Sequence, residues 1–275
     1  MGEGRQSGGP SPEVVAVADP ADPRLDDYRA LRDRDLAPRR TFVVEGALAL
    51  EQLLASGYEV RSVLIAERRL AAVAPLLAGR QVLVGSDEVL GATVGFAIHR
   101  GVLAAGVRPP PADPAAVVAS GPLLAVLEGV NDHENLGALF RTARALGVAG
   151  VLTDPTCADP LYRRSIRVSL GHVLRLPFAT LAPWPAGLAA LAVTHRLVAL
   201  TPDPAAPPLD ALDPGPPTAV LVGAEGPGLS AGALAAADAL ARIPMAAGVD
   251  SLNVATAAGI ALHHLRPRRA PGAPL

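Results

Sequence analysis

Two α/β units joined by a proline-rich segment are the architecture this chain predicts, and three observations predict it. Between residues 41 and 106, short apolar strand-like runs alternate with helical patterns. From residue 123 onward the strand-like runs are apolar on both faces, which suits a parallel sheet buried under helices. Between the two lies Arg108-Pro-Pro-Pro-Ala-Asp-Pro114, whose prolines favour extended backbone and exclude helix.

Taken in order, residues 1–20 are rich in Gly, Pro and Ser and read as a disordered tail. From Asp22 to Asp35, Leu25, Tyr28 and Leu31 among charged neighbours predict an amphipathic helix. Thr41–Glu45 predicts a strand, Ala47–Ala55 a helix closed by Gly57, and Val60–Ala66 a second strand. Arg68–Leu77 reads as a helix stopped by Gly79, Gln81–Gly85 as a third strand and Arg100–Gly106 as a closing one. In the second unit, strands are expected at Leu123–Val130, Val148–Thr153, Leu174–Ala179, Leu197–Leu200 and Ala219–Val222. Helices fit at Gly137–Leu146, Tyr162–Leu170 and Ala186–His195, with a last one from Ser251 to Leu265. The segment Thr201–Thr218 holds seven prolines and is expected at the surface. These readings divide the chain into a tail (1–20), a first unit (21–108), a linker (109–120), a second unit (121–267) and a C-terminal tail (268–275).

Composition narrows the class. The chain has 275 residues, half of them apolar and 18% charged, so it is globular and large enough for a substantial core. Aromatics are only 3%, which leaves Ala, Val and Leu to build that core. All 24 basic residues are Arg, yet the net charge is -2, which argues against a strongly electrostatic nucleic-acid binder. Cys157 is the only cysteine, so an intramolecular disulfide and a thiolate metal cluster are excluded. The N-terminus lacks the apolar core of a secretory signal, and no apolar run reaches the roughly 18–20 residues of a membrane span. A cytoplasmic protein is expected.

Three segments place polar or glycine residues beside apolar runs, where open α/β sheets bind ligands. The first is Asn131-Asp-His-Glu-Asn-Leu-Gly-Ala-Leu-Phe-Arg-Thr-Ala143. Asn135 suits a helix cap, and Gly137, four residues before Arg141, leaves room for a second backbone or a ligand. The second is Leu221-Val-Gly-Ala-Glu-Gly-Pro-Gly-Leu-Ser230, in which Ser230 reads as a helix cap. Its Glu225, just beyond a buried strand, needs a partner, and Arg141 is the expected one. It lacks the Gly-x-Gly-x-x-Gly spacing and early position of a dinucleotide fingerprint, which argues against a nicotinamide oxidoreductase. The third is Ile243-Pro-Met-Ala-Ala-Gly-Val-Asp-Ser-Leu-Asn-Val254, where Asp250 or Ser251 can cap the last helix. His263 and His264 are adjacent and cannot form an i, i+4 metal pair, and His133 has no partner by spacing, so no catalytic metal is expected.

Together and in this order, over about 125 residues, these segments resemble the three motifs of the SpoU (TrmH-like) family of RNA ribose 2′-O-methyltransferases. The resemblance runs from Leu123 to Leu265 and includes Arg163-Arg-Ser-Ile-Arg-Val-Ser-Leu-Gly171. It implies a SPOUT-type parallel sheet with a C-terminal trefoil knot, S-adenosyl-L-methionine as cofactor and a homodimer formed through the catalytic domain. Asn135, Arg141, Glu225, Ser251 and Asn253 fall on the family's catalytic positions. Gly223, Ile243 and Leu252, with Thr201 on a preceding strand end, fall where its main chain holds the cofactor. The first unit resembles the family's L30e-like RNA substrate-binding domain through Phe42–Gly46 and His99–Ala104. His133, where many members have Pro, and His172, where a small residue is common, depart from the pattern. The acceptor implied is RNA, ribosomal rather than transfer RNA. The alternatives are a tRNA 2′-O-methyltransferase and a catalytically inactive ribosome-assembly factor. In the first unit Arg29, Arg32, Arg34, Arg39 and Arg40 form the densest basic cluster and are expected to dock RNA.

Overall fold

The computed structural model describes residues 11–29, 31, 40–96 and 98–267. The chain divides into two compact units, Met1–Pro109 and Pro110–Leu275. In the first, strands β1 (Glu13–Ala16), β2 (Thr41–Glu45), β3 (Val60–Ala66), β4 (Gln81–Gly85) and β5 (Val102–Val107) form one mixed sheet in the order β1-β4-β3-β5-β2. Helices α1 (Ala47–Leu54), α2 (Glu67–Val73) and α3 (Asp87–Val94) connect them. The two segments behind the resemblance in this unit lie side by side. β2 pairs antiparallel with β5, and the Gly46 N–H donates to the Val102 carbonyl at 2.9 Å.

Several expectations change here. Residues 13–16 are not a tail: they pair in parallel with β4 at the sheet edge. The amphipathic helix expected from Asp22 is a short 3₁₀ turn, Pro23–Tyr28, opened by the Asp22 carboxylate accepting the Arg24 N–H. It still buries Leu25 and Tyr28, whose hydroxyl meets Ser62 at 2.8 Å. Arg32, Arg34 and Arg39 lie outside the described residues. Arg29 pairs with Asp26 and donates to the Pro20 and Asp22 carbonyls, so it clasps its own loop instead of standing ready for phosphate. Helix α3 was not expected; its signal was Ser86, which caps it by accepting the Val89 N–H.

In the second unit, strands β6 (Leu123–Glu128), β7 (Gly150–Thr153), β8 (Phe178–Thr180), β9 (Arg196–Leu200), β10 (Thr218–Gly223) and β11 (Ala239–Ala241) form a sheet ordered β11-β9-β10-β6-β7-β8. Every pairing in it is parallel. β10 inserts between β6 and β9, so the strand order reverses near the sheet centre. Helices α4 (Pro114–Val118), α5 (His133–Ala145), α6 (Arg163–Val168), α7 (Leu188–Ala192), α8 (Ala231–Ala236) and α9 (Val254–Leu265) complete the unit. The segment expected as linker, 109–120, therefore contains α4, which buries Val117 in the second unit's core. In the proline-rich stretch 201–218, a 3₁₀ turn at Leu209–Ala211 tucks Leu209 inward. The core is built from Leu, Val and Ala of β6, β9 and β10 with α7 and α8, as a chain poor in aromatics requires. No described helix is long and apolar enough to cross a membrane.

Candidate active site

The carboxyl ends of β9 and β10 and the segment after β11 converge on a cavity of about 430 Å³. Ligands of open α/β sheets bind outside such carboxyl strand ends. Its lining includes Thr201, Gly223, Ile243 and Leu252, the four residues assigned to the cofactor by sequence. Glu225, Ser251 and Asn253 line the same cavity; Asn135 and Arg141 do not.

The loop after β10 is shaped by its own backbone. The Gly228 N–H donates to the Ala224 carbonyl at 3.0 Å, and Gly226 and Gly228 adopt φ of 92° and 69°, which L side chains rarely reach. Glu225 is thus presented at the tip of a tight turn. Gly223 is required by the turn itself: a Cβ there would lie 2.1 Å from the Gly228 carbonyl carbon. Below, Glu128 at the end of β6 accepts the Trp184 indole N–H at 2.6 Å and the Ser230 N–H at 2.8 Å. Ser230 in turn caps α8, as expected.

Asn253 joins the three motif segments. Its side-chain amide donates to Asn135 Oδ1 at 2.7 Å and to Glu225 Oε1 at 2.9 Å. Its oxygen accepts the Ala255 and Thr256 N–H groups, so Asn253, and not Asp250 or Ser251, caps α9. Ser251 instead donates to Asp250 at 3.2 Å. The cap of α5 is also displaced from the expected residue. Asp132 accepts the Glu134 and Asn135 N–H groups, which moves the helix start four residues earlier and leaves the Asn135 side chain for Asn253.

Arg141 stands apart from this cluster. It is exposed, and among the described residues it makes no hydrogen bond or ion pair. The expected pairing with Glu225 is not present; Glu225 is engaged by Asn253 and, at 3.4 Å, by the Val254 N–H. The helix accounts for this. Six residues of α-helix turn Arg141 about 120° away from Asn135, towards solvent. There it joins Arg144 and Arg175 around His172. Burial pushes the His172 imidazole below its ordinary value, and the three guanidinium groups add to the effect. The room expected above Gly137 is filled by chain, since a Cβ there would meet the Ser165 carbonyl of α6 at 2.7 Å.

Sequence reasoning missed the residue that holds the loop before α5. Asp154, 4% exposed, accepts the Gly129 N–H at 3.0 Å and the Thr156 hydroxyl at 2.6 Å. Burial pulls its carboxyl upward, but the donors Thr156, Gly129 and Cys157 outweigh it and hold it below the ordinary value. Burial first, and Asp154 second, push the Cys157 thiol up to about 12, which leaves it unreactive near neutral pH. Among the described residues no group of three or more His, Cys, Asp or Glu could hold a metal.

The model of the SpoU rRNA Methylase family matches residues 122–263. An uncharacterized tRNA/rRNA methyltransferase of Mycobacterium tuberculosis is 45% identical across 97% of this chain and 99% of its own length. A 23S rRNA (guanosine-2′-O-)-methyltransferase of Pseudomonas aeruginosa is 36% identical across 54% of this chain and 60% of its own. Among solved structures, an AdoMet-bound rRNA methyltransferase from Sinorhizobium meliloti superposes with a TM-score of 0.78 at 26% identity, covering 92% of this chain and 97% of that one.

Proposed function

The chain belongs to the SpoU rRNA methylase family, and from that premise we infer that it transfers a methyl group from S-adenosylmethionine to a ribose 2′-hydroxyl of RNA. One observation carries the reading. Segments far apart in sequence meet in one hydrogen-bonded cluster, Asn135–Asn253–Glu225, at the edge of a cavity at the strand ends.

The cavity fits the cofactor in kind and in size. Its volume lies within the usual range for small-molecule sites, roughly 300–1,000 Å³. Thr201, Gly223, Ile243 and Leu252 offer main chain and apolar surface, and nothing lies within 4 Å of a Cβ built on Gly226 or Gly228. When bound, S-adenosylmethionine supplies an electrophilic methyl on a sulfonium. The protein's task is to position a weak nucleophile and stabilise the charge that develops on it. A guanidinium stays protonated, so Arg141 acts as a fixed cation for the target phosphate and the developing alkoxide, not as a base. Asn135, Asn253 and Glu225 form a hydrogen-bonded polar rim, and Ser251 with Leu252 extends it along the cavity wall. Arg141 works from the outer face of α5 without being oriented directly by Glu225.

The finer architecture we propose is a trefoil-knotted catalytic domain in the unit that starts at Pro110, with α4 included, and an L30e-like substrate domain in the unit that ends at Pro109, with β1 included. A homodimer through the catalytic unit is supported by the open groove between α5 and α9. That groove is about 800 Å³ and is lined by Ala138, Thr142, Leu146 and Ile260, the last 40% exposed. Ribosomal RNA is the proposed acceptor, on the ground of the additional N-terminal domain. The deciding experiment maps 2′-O-methylation in ribosomal and transfer RNA from a deletion strain, with and without the restored gene. A site that disappears and returns identifies the acceptor. Unchanged maps, together with no S-adenosylmethionine binding by calorimetry, would overturn the reading.

A further inference from the structure

At the start of α5, the His133 and Tyr162 rings pack with centroids 4.1 Å apart and planes tilted by 49°. His133 opens α5, and Tyr162 is the residue immediately before α6. Both rings remain partly exposed. Burial, and then the neighbouring Arg164, hold His133 below its ordinary value, while Asp132 and Asp159 pull the other way. Beside the rings, Arg164 pairs with Glu134 at 2.5 Å and bolts the two helix starts together. Arg141, Arg144 and Arg167 project from the same two helices and, among the described residues, have no ion-pair partner. The Phe and Trp rings of this unit are otherwise engaged. Phe140 is buried against Phe178, and Trp184 is bonded to Glu128.

Building on the RNA reading, we propose that the His133–Tyr162 pair is a stacking platform for an unpaired base next to the methylated nucleotide. Position on the helix argues for it. His133 and Asn135 lie about 3 Å apart along the α5 axis and point roughly 160° apart around it, and Arg141 points between those two directions about 9 Å further along the helix than Asn135. A strand crossing the start of α5 would place its ribose on the Asn135 side and its phosphate towards Arg141. The adjoining base would then fall on the ring side. Partly exposed rings flanked by arginines are how proteins hold unstacked RNA bases without reading their identity.

The test compares binding of a short oligoadenylate with binding of the same ribose-phosphate strand lacking bases. Wild type should prefer the strand with bases. Tyr162→Leu and His133→Leu should each weaken binding of the strand with bases by about 5- to 100-fold, the usual worth of one stacked base, and leave the abasic strand unaffected. Tyr162→Phe should keep the preference, and S-adenosylmethionine affinity should be unchanged in every variant. If Tyr162→Leu and His133→Leu keep the wild-type preference for bases, the platform is refuted while the RNA reading stands. If wild type binds neither strand yet binds S-adenosylmethionine, the RNA reading falls and the platform with it.

Discussion

Asn253 and Asn135, 118 residues apart in sequence, meet side chain to side chain at 2.7 Å, and the same Asn253 amide also holds Glu225. One planar amide thus fixes the spacing of three motif segments while its oxygen caps α9. Asn253→Asp keeps the capping oxygen but removes the donor and sets a second carboxylate against Glu225. The melting temperature should change little, whereas single-turnover methylation should fall by about 100-fold or more. Equal rates for variant and wild type would remove this cluster from the reaction.

Arg141→Ala should abolish methyl transfer while leaving stability and S-adenosylmethionine affinity intact, because the side chain is exposed and holds no partner among the described residues. Loss of a fixed cation at a developing oxyanion typically costs about 10²–10³ in rate. Arg141→Lys should fail almost as badly, since a point charge cannot make a two-pronged contact with phosphate. Single-turnover methylation with saturating cofactor decides it; a rate within about tenfold of wild type would assign the role to another residue.

Gly223→Ala should lower stability and cofactor affinity together. The added methyl meets the Gly228 backbone at 2.1 Å, so the whole turn must move. In wild type, S-adenosylmethionine at about 100 times its Kd should stabilise by about 2.7 kcal/mol. Thermal melting read beside calorimetry checks both; a variant with normal melting and normal affinity would contradict the placement.

Stability should fall as pH drops below about 6.5. His133 and His172 both titrate below their ordinary value of 6.5 in the folded state. The unfolded chain therefore takes up protons first, and the stability present above pH 6.5 is lost as pH falls towards the folded values. Melting curves from pH 8 to pH 5 should show a smaller slope in His172→Gln. An identical slope would remove His172 from the effect.

Much of this was legible in sequence. The bounds of β2, β3 and β4 were read correctly because each contains an apolar run of three or four residues flanked by polar or glycine residues. Helix starts were less legible. Asp132 and Asn135 are both good caps, and only packing decides which side chain turns to the backbone. β11, only Ala239–Ala241, carries no strand signal of its own and is held by Asp238 accepting the Leu197 N–H at 2.8 Å. At the site, the motifs named the residues but not their partners. That Arg141 points away from Asn135 follows from helix geometry and could have been foreseen by counting residues around α5. The bond from Asn253 to Asn135 could not, because it depends on how two distant helix starts are brought together.

The place of β10 in the sheet also sets a timetable for synthesis. β9 pairs only with β10 and β11, both of which leave the ribosome after it, while β6, β7 and β8 can already pair among themselves. The nascent unit therefore carries an unpaired strand until Thr218–Gly223 emerges and closes the gap between β6 and β9. Such long-range pairing is slow and leaves strand edges open to aggregation. A ribosome stalled shortly before Thr218 would leave a chain with both edges exposed, a natural substrate for chaperones. The cavity at the strand ends is completed later still, once the segment carrying Ser251, Leu252 and Asn253 has been made.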